Sequence, residues 1–161
     1  RGQILVSTMA RDGDVGQAAR LQVKLVCAAC GQDGVLGIYA NGTVYQPEFY
    51  LNAAQPMEDG ELPLLDLVWM GLYRREEGLC GYTDGLAAFG KEEIEVLDTQ
   101  AAPGDLHSFL LDLASYVLEE DVTFHDGETI GFTEGQYLPI SRSAGVWHDG
   151  MTLKISYPEE P

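Results

Sequence analysis

The feature that most constrains the fold is a wide apolar stripe between residues 103 and 120. Apolar side chains recur there every three or four positions, so they share one face of an α-helix. Asp105 lies near the start of the segment, where a negative charge complements the helix macrodipole. Such a face has to cover a hydrophobic core, so the sequence predicts a core helix over residues 103–120. The stripe consists of Leu106, Phe109, Leu110, Leu113, Ala114, Val117 and Leu118.

A second helix and several strands are predicted around this one. Residues 15–30 have helical apolar spacing and follow Asp12 and Asp14, either of which can cap the first turn by accepting free backbone amides. Residues 3–9 and 64–73 contain apolar runs that predict strands, and Asn41-Gly42 predicts a tight hairpin turn. The predicted fold class is α+β, a mainly antiparallel β-sheet with two main helices packed on one of its faces.

Length and hydropathy limit the alternatives. The 161 residues, 45% of them hydrophobic, are typical of one globular domain, so we expect a single domain over residues 1–161. No apolar run approaches the roughly 20 residues that cross a bilayer. The short apolar run near the N-terminus is not followed by the small residues of a signal-peptide cleavage site. We therefore expect a protein without a membrane span or a secretion signal.

The charge of the chain excludes several classes of partner. The formal net charge is −17, from 26 acidic and nine basic side chains. Such a surface repels nucleic-acid phosphates and anionic lipid headgroups, so we expect neither a nucleic-acid nor a membrane partner. A protein with a basic surface is the partner that the charge favours. Solubility alone is the other explanation, because net charge bears on solubility and association rather than on fold.

The cysteines indicate a reducing compartment and no cofactor. Their number, three, is odd, and without a secretion signal this predicts a cytoplasmic protein. Cys27 and Cys30 have the CxxC spacing of a redox pair, but they lie at the C-terminal end of a predicted helix, where the macrodipole opposes thiolate formation. No second pair completes a zinc site. The sequence therefore predicts structural thiols, with no metal and no other cofactor.

Four segments resemble a known family. They read LPLLDLVWMGLYRREEG (residues 62–78), YTDGLAAFGKEEIEV (82–96), FLLDLASYVLEE (109–120) and DGETIGF (126–132). Together they resemble an uncharacterised bacterial family, domain of unknown function four-two-six-one, and residues 35–51 resemble the segment before its core in longer members. The resemblance implies a bacterial cytosolic protein that lacks N-terminal sequence present in longer members. It implies no activity and no catalytic residue.

Two histidines carry the enzymatic hypothesis. His125 and His148 each precede Asp-Gly, and a His–Asp pair can act as acid and base or as metal ligands. Because Asp-Gly is also what a hairpin turn requires, exposed turn histidines are the other interpretation. Glu93 and Glu95 are expected on a solvated strand face, since their side chains alternate with apolar ones. A small hydrolase or transferase using His125, His148 and nearby carboxylates is therefore the alternative function.

The segment from residue 82 to residue 90 is the first candidate for partner binding. It is short and glycine-rich, and its apolar centre lies between charged flanks. It could present Phe89 to a partner, together with Tyr82 and Thr83. The other interpretation is that Leu86 and Phe89 fill the core while Gly85 and Gly90 supply special backbone angles.

A second candidate surface is acidic and can steer a basic protein into encounter. It comprises six acids, with no Lys or Arg between residues 119 and 134: Glu119, Glu120, Asp121, Asp126, Glu128 and Glu134. The sequence thus favours a non-enzymatic cytosolic interaction module over an enzyme. An immunity-type inhibitor of a basic toxin is one version of it, and a homo-oligomer is left open.

Overall fold

The computed structural model describes residues 2–10, 13–133 and 135–158. The chain divides into two compact units, Arg1–Trp69 and Met70–Pro161. The expectation of a single domain stays a prediction, because compactness does not measure whether two units fold independently. Within the described ranges, no helix is long and apolar enough to cross a membrane.

The first unit opens with helix α1 (Val15–Cys30), as predicted. It begins after Asp14, whose Oδ1 accepts a hydrogen bond of 2.9 Å from the backbone amide of Gln17. The other candidate cap, Asp12, lies outside the described residues.

The strand predicted for residues 3–9 is wrong. Residues 2–10 have no regular secondary structure, and Ile4 and Leu5 are exposed. A strand needs a neighbour that pairs its backbone amides and carbonyls, and none of the described strands lies beside this segment. An apolar run alone therefore did not make a strand here.

A small hairpin and three short helices complete the first unit. Strands β1 (Ile38–Ala40) and β2 (Thr43–Tyr45) pair antiparallel, and the turn predicted at Asn41-Gly42 is confirmed by positive φ angles of 49° and 68°. Helix α2 (Pro47–Ala53) and a 3₁₀ helix (Gln55–Asp59) follow. The buried core of this unit is formed by Val23, Tyr45, Tyr50 and Ala54.

The strand predicted for residues 64–73 is correct only in its second half. Leu64–Leu67 forms the short helix α3, and strand β3 is Trp69–Arg74. The amide of Val68 donates to the carbonyl of Leu64 at 2.8 Å and closes one helical turn before the strand begins. An apolar run of this length does not show where a helical turn gives way to a strand.

The second unit is built on a six-stranded sheet with the order β3-β4-β5-β8-β7-β6. The sheet is mixed rather than purely antiparallel: most neighbouring strands run antiparallel, as expected of a mainly antiparallel sheet, but one pair is parallel. Strands β5 and β8 are parallel, with Ile94 opposite Leu153 and Glu95 opposite Lys154. The pairs β4/β5, β6/β7 and β7/β8 are antiparallel. The five strands that follow β3 are β4 (Leu79–Asp84), β5 (Ile94–Thr99), β6 (Thr129–Thr133), β7 (Gln136–Ala144) and β8 (Met151–Ile155).

Helix α4 (Pro103–Glu119) is the predicted core helix and packs on β4. It buries six of the seven stripe residues, all but Leu118. Gly81 allows the close approach, because a Cβ at this position would lie 2.6 Å from a methyl carbon of Leu110. Helix α1 belongs to the other unit, so the placement of both helices on one face of one sheet stays a prediction.

Candidate functional site

An exposed aromatic arrangement of the second unit lies in the connection between β7 and β8. We call residues 145–150 the aromatic turn. Its Trp147 stacks on Tyr82 of β4, with ring centroids 4.4 Å apart and planes inclined by 16°. Tyr73 of β3 lies beside both rings, 5.1 Å from Trp147. Although Trp147 packs against two rings, 52% of its surface remains exposed, and its neighbour Val146 is 48% exposed.

The backbone of the aromatic turn is held by Glu95. Its carboxylate accepts hydrogen bonds from the amides of Val146 (2.9 and 3.1 Å), Trp147 (2.9 Å) and His148 (3.2 Å). The ammonium of Lys154 lies 3.1 Å from the same carboxylate. Burial alone would raise the pKa of Glu95, but these donors outweigh it and hold the pKa below its ordinary value. Glu95 is therefore an ionised, internal anchor.

Glycine is required where the turn begins. The amide of Gly145 donates to the carbonyl of Gly150 at 2.7 Å and closes the loop. A Cβ on Gly145 would lie 2.2 Å from the carbonyl oxygen of His148, a distance that no side chain can adopt. The turn is thus closed by a backbone contact and anchored by a buried charge.

The expectation that Glu93 and Glu95 share a solvated strand face is wrong. Glu95 has no exposed side-chain surface, because the aromatic turn folds over that face of β5. Glu93 accepts hydrogen bonds from the hydroxyl of Thr83 (2.7 Å) and from the amides of Gly85 (2.9 Å) and Ala87 (3.0 Å). Both carboxylates therefore hold backbone segments in place.

The first predicted partner-binding segment is largely internal. Thr83 is fully buried, and besides donating to Glu93 it accepts from the amide of Ile94 at 2.9 Å, so it has no surface to offer a partner. Tyr82 is buried too, and its ring stacks against that of Trp147. Phe89 is half-buried in a 3₁₀ helix, Leu86–Phe89, whose Leu86 is completely buried. Of the three candidates, only Phe89 is more than marginally exposed.

The described members of the acidic band are exposed, but three of them have partners: Asp121 contacts Lys91, Asp126 accepts a hydrogen bond from the amide of Arg142, and Glu128 contacts His125. Glu119, Glu120 and Asp121 lie at the C-terminal end of α4. The ammonium of Lys91 lies 2.7 Å from the Asp121 carboxylate, and this hydrogen bond lowers the pKa of Asp121. Glu134, the last member of the predicted band, lies outside the described residues.

The two histidines of the enzymatic hypothesis have different partners. The ring Nε2 of His148 lies 2.7 Å from the carbonyl oxygen of Thr83. The ring Nδ1 of His125 lies 3.3 Å from Glu128. Across the described residues, no group of three or more His, Cys, Asp or Glu side chains is arranged to hold a metal ion. No described contact joins the two rings, and the hydrolase or transferase stays a prediction.

The first unit holds a separate buried carboxyl. Asp66 is 3% exposed, and neither of its carboxyl oxygens has a hydrogen-bond partner among the described residues. Burial raises its pKa to about 7. Burial, and then the nearby Asp66 charge, also raises the pKa of the thiols of Cys27 and Cys30. Both cysteines are free and half-buried, as expected of structural thiols.

Fold and site together define an α+β domain with a mixed sheet, one long core helix and an aromatic turn anchored on an internal carboxylate. Residues 82–156 match the family described as Domain of unknown function (DUF4261), which confirms the resemblance seen in the sequence. The match includes Glu95, Trp147 and Lys154. No curated protein and no solved structure matches the chain.

Sequence reasoning missed the aromatic turn. Trp147 is one of only two tryptophans and directly precedes a His-Asp-Gly turn, a position that could have marked it as surface-exposed. Nothing local could have found Glu95, because its hydrogen-bond partners lie 51 to 53 residues further along the chain.

Proposed function

We propose that the second unit is a protein-interaction module and that the aromatic turn is its contact surface. The observation that carries the proposal is that Trp147 is half exposed while its backbone is fixed by a buried carboxylate. The neighbouring Val146 is 48% exposed and adds apolar surface to the turn.

Two physical arguments support a binding role for this surface. Tryptophan is enriched among the few residues that dominate interface energies, because one ring buries a large area. A side chain that is already ordered before binding loses little conformational entropy when a partner covers it. The Glu95–Lys154 pair secures that order although burying two charges is expensive.

The charge of the unit indicates the kind of partner. Residues 70–161 carry 18 acidic and five basic side chains, so a partner with a basic surface would be steered toward them. An immunity-type inhibitor that binds a basic toxin in the bacterial cytoplasm is one version of this proposal. The free cysteines are compatible with that reducing compartment.

The proposal is tested by identifying a partner and then measuring the purified complex. Tagged wild-type protein and Trp147→Ala are used for affinity capture from the native host, and candidate partners are purified for isothermal titration calorimetry. Truncation of an interface tryptophan typically costs 2 kcal/mol or more, so we expect binding at least about 30-fold weaker for Trp147→Ala. Salt should weaken association with wild type, because it screens a basic partner.

The matched control is Tyr137→Ala. Tyr137 is an aromatic side chain of β7 that is 71% exposed and lies outside the aromatic turn. The Tyr137→Ala variant should bind the partner with the same affinity as wild type. A purified partner that binds Trp147→Ala and wild type equally well would show that the aromatic turn is not the contact surface.

A second variant tests the anchor. Glu95→Gln preserves the shape of the side chain but places an amide donor among the donors of the aromatic turn and Lys154. We expect the turn to loosen, with faster amide hydrogen exchange at residues 146–148 and weaker partner binding than wild type. Unchanged exchange at those three amides would show that the carboxylate does not fix the turn.

A further inference from the structure

A cleft between helix α4 and strand β6 shares no lining residue with the aromatic turn. Its volume is about 520 Å³, within the range of roughly 300–1,000 Å³ that small-ligand sites occupy. Its apolar lining includes Leu113 of the helix, Val122 of the following loop and Ile130 of β6. Two aromatic rings, Tyr116 and Phe124, also line it.

The two rings form one aromatic wall. Their centroids lie 6.1 Å apart, and their planes are inclined by 28°. Tyr116 is 44% exposed, so part of its ring surface is available to a ligand in the cleft. Aromatic faces carry a negative quadrupole and attract cations that lie over them.

The charged groups that line the cleft are both acidic. Asp112 is exposed on α4, one turn before Tyr116, and Glu128 lies just before β6. The carboxylate of Glu128 already has partners within the protein. It accepts a hydrogen bond of 2.8 Å from the backbone amide of His125 and lies 3.3 Å from the ring Nδ1 of the same histidine. Asp112 is therefore the stronger counter-charge, and no Lys or Arg is found among the described residues that line the cleft.

We propose that this cleft binds an organic cation, an ammonium or guanidinium group. An aromatic wall with carboxylates beside it attracts a cation by both the ring quadrupole and the ionic charge. The same carboxylates repel an anion, and a neutral apolar ligand would desolvate Asp112 without compensation. The cation could be a free polyamine or the side chain of a lysine or arginine from another protein, since both carry the same chemistry.

The experiment measures binding of four probes by isothermal titration calorimetry and by ¹H–¹⁵N chemical-shift mapping. Spermidine represents the free cation, and the Nα-acetyl N-methylamides of lysine and arginine represent the protein side chains. The corresponding norleucine derivative is the neutral control. Saturable binding of at least one cationic probe, with shifts at residues 112, 116 and 131 and none from norleucine, is the expected result.

Variants separate the cleft from general surface charge. We expect Tyr116→Leu, which keeps apolar volume but removes the ring, to weaken cation binding about tenfold. Asp112→Asn should weaken it several-fold. Asp105→Asn removes another exposed acid from the first turn of α4, outside the cleft, and should leave binding unchanged.

The outcomes identify the source of the cation or overturn the proposal. Preference for spermidine assigns the cleft to a free polyamine, and preference for a capped amino acid assigns it to a protein side chain. Absence of saturable binding by every cationic probe overturns the proposal. So does binding that Asp105→Asn weakens as much as Asp112→Asn, because it would reflect diffuse surface charge.

Discussion

Replacing Asp66 by Asn should stabilise the first unit at neutral and alkaline pH. Both carboxyl oxygens of Asp66 are buried without a hydrogen-bond partner among the described residues, so ionisation of this group is opposed in the folded state. Its folded pKa is raised to about 7, against 3.8 for the ordinary side chain. Asn has nearly the same shape as the protonated carboxyl but cannot ionise.

The size of the effect follows from proton linkage. Between pH 4 and pH 7 the folded state keeps the Asp66 proton and the unfolded state loses it, so folding stability falls as pH rises through this window. A difference of about three pKa units, at 1.36 kcal/mol each, amounts to roughly 4 kcal/mol. The penalty is absent below pH 4 and complete above pH 7. The free energy of unfolding of Asp66→Asn should therefore equal that of wild type near pH 4 and be roughly 4 kcal/mol larger at pH 8.

The neighbouring titratable groups do not contribute to the change in stability between pH 4 and pH 7. Cys27, Cys30 and Tyr50 lie close enough to Asp66 for its charge to raise the pKa of each. Because the pKa of each group is raised above its ordinary value, all three ionise at higher pH than Asp66. The slope between pH 4 and pH 7 that distinguishes the variant from wild type belongs to Asp66.

The assay is urea denaturation at several pH values between 4 and 8. Fluorescence of Trp69 reports on the first unit when Trp147 is replaced by Phe in all proteins compared. Trp69 packs edge-on against Tyr45 in the core of this unit, with ring centroids 5.9 Å apart. Asp59→Asn, at an exposed carboxylate of the same unit, is the matched control and should follow the wild-type curve. If the free energy of unfolding of Asp66→Asn and of wild type changed in the same way between pH 4 and pH 8, the reasoning would be refuted.

Three further predictions concern the core, the thiols and metal ions. Leu113→Ala should lower the free energy of unfolding by about 2–5 kcal/mol, because Leu113 is 2% exposed in the core face of α4, and a denaturation midpoint near wild type would contradict this. Cys27 and Cys30 should label more slowly with a thiol reagent at pH 7 than a denatured control does, because their raised pKa values disfavour thiolates. At pH 8, Asp66→Asn should accelerate that labelling by removing a nearby negative charge; equal rates would show that the carboxylate does not act on the thiols. EDTA should leave the melting temperature unchanged, and a drop of several degrees would reveal a structural metal ion.

The sequence pattern was sufficient to predict those elements whose conformation is determined by residues close together in the chain. The stripe of α4 predicted the bounds of the helix to within one residue, and six of the seven stripe residues are buried, because the 3.6-residue period is a property of the helix itself. Asn41-Gly42 predicted its turn, since both residues tolerate positive φ wherever the chain places them. The position of Cys27 and Cys30 at the end of a helix also predicted poor thiolate formation, but in the structure the pKa of both thiols is raised first by burial and then by the nearby Asp66 charge, which the local pattern does not contain.

Only the tertiary structure decided which surfaces are covered. Residues 3–9 and 64–67 are as apolar as real strands, but a strand exists only where another strand pairs with it, and that depends on distant residues. The parallel pairing of β5 with β8 follows from chain topology rather than from either strand alone. Alternation along a strand gives the side that each residue faces, but it does not show whether that side meets water.

The contacts that form the candidate site could not be predicted from the sequence. The sequence by itself established an acidic chain with a helical core element. It could not show that the turn folds over β5, which buries Glu95 and leaves Trp147 stacked on Tyr82 with half its surface exposed. These contacts join residues more than 50 positions apart, so they arise from the packing of the whole unit, whereas periodicity and turn propensity act over a few residues.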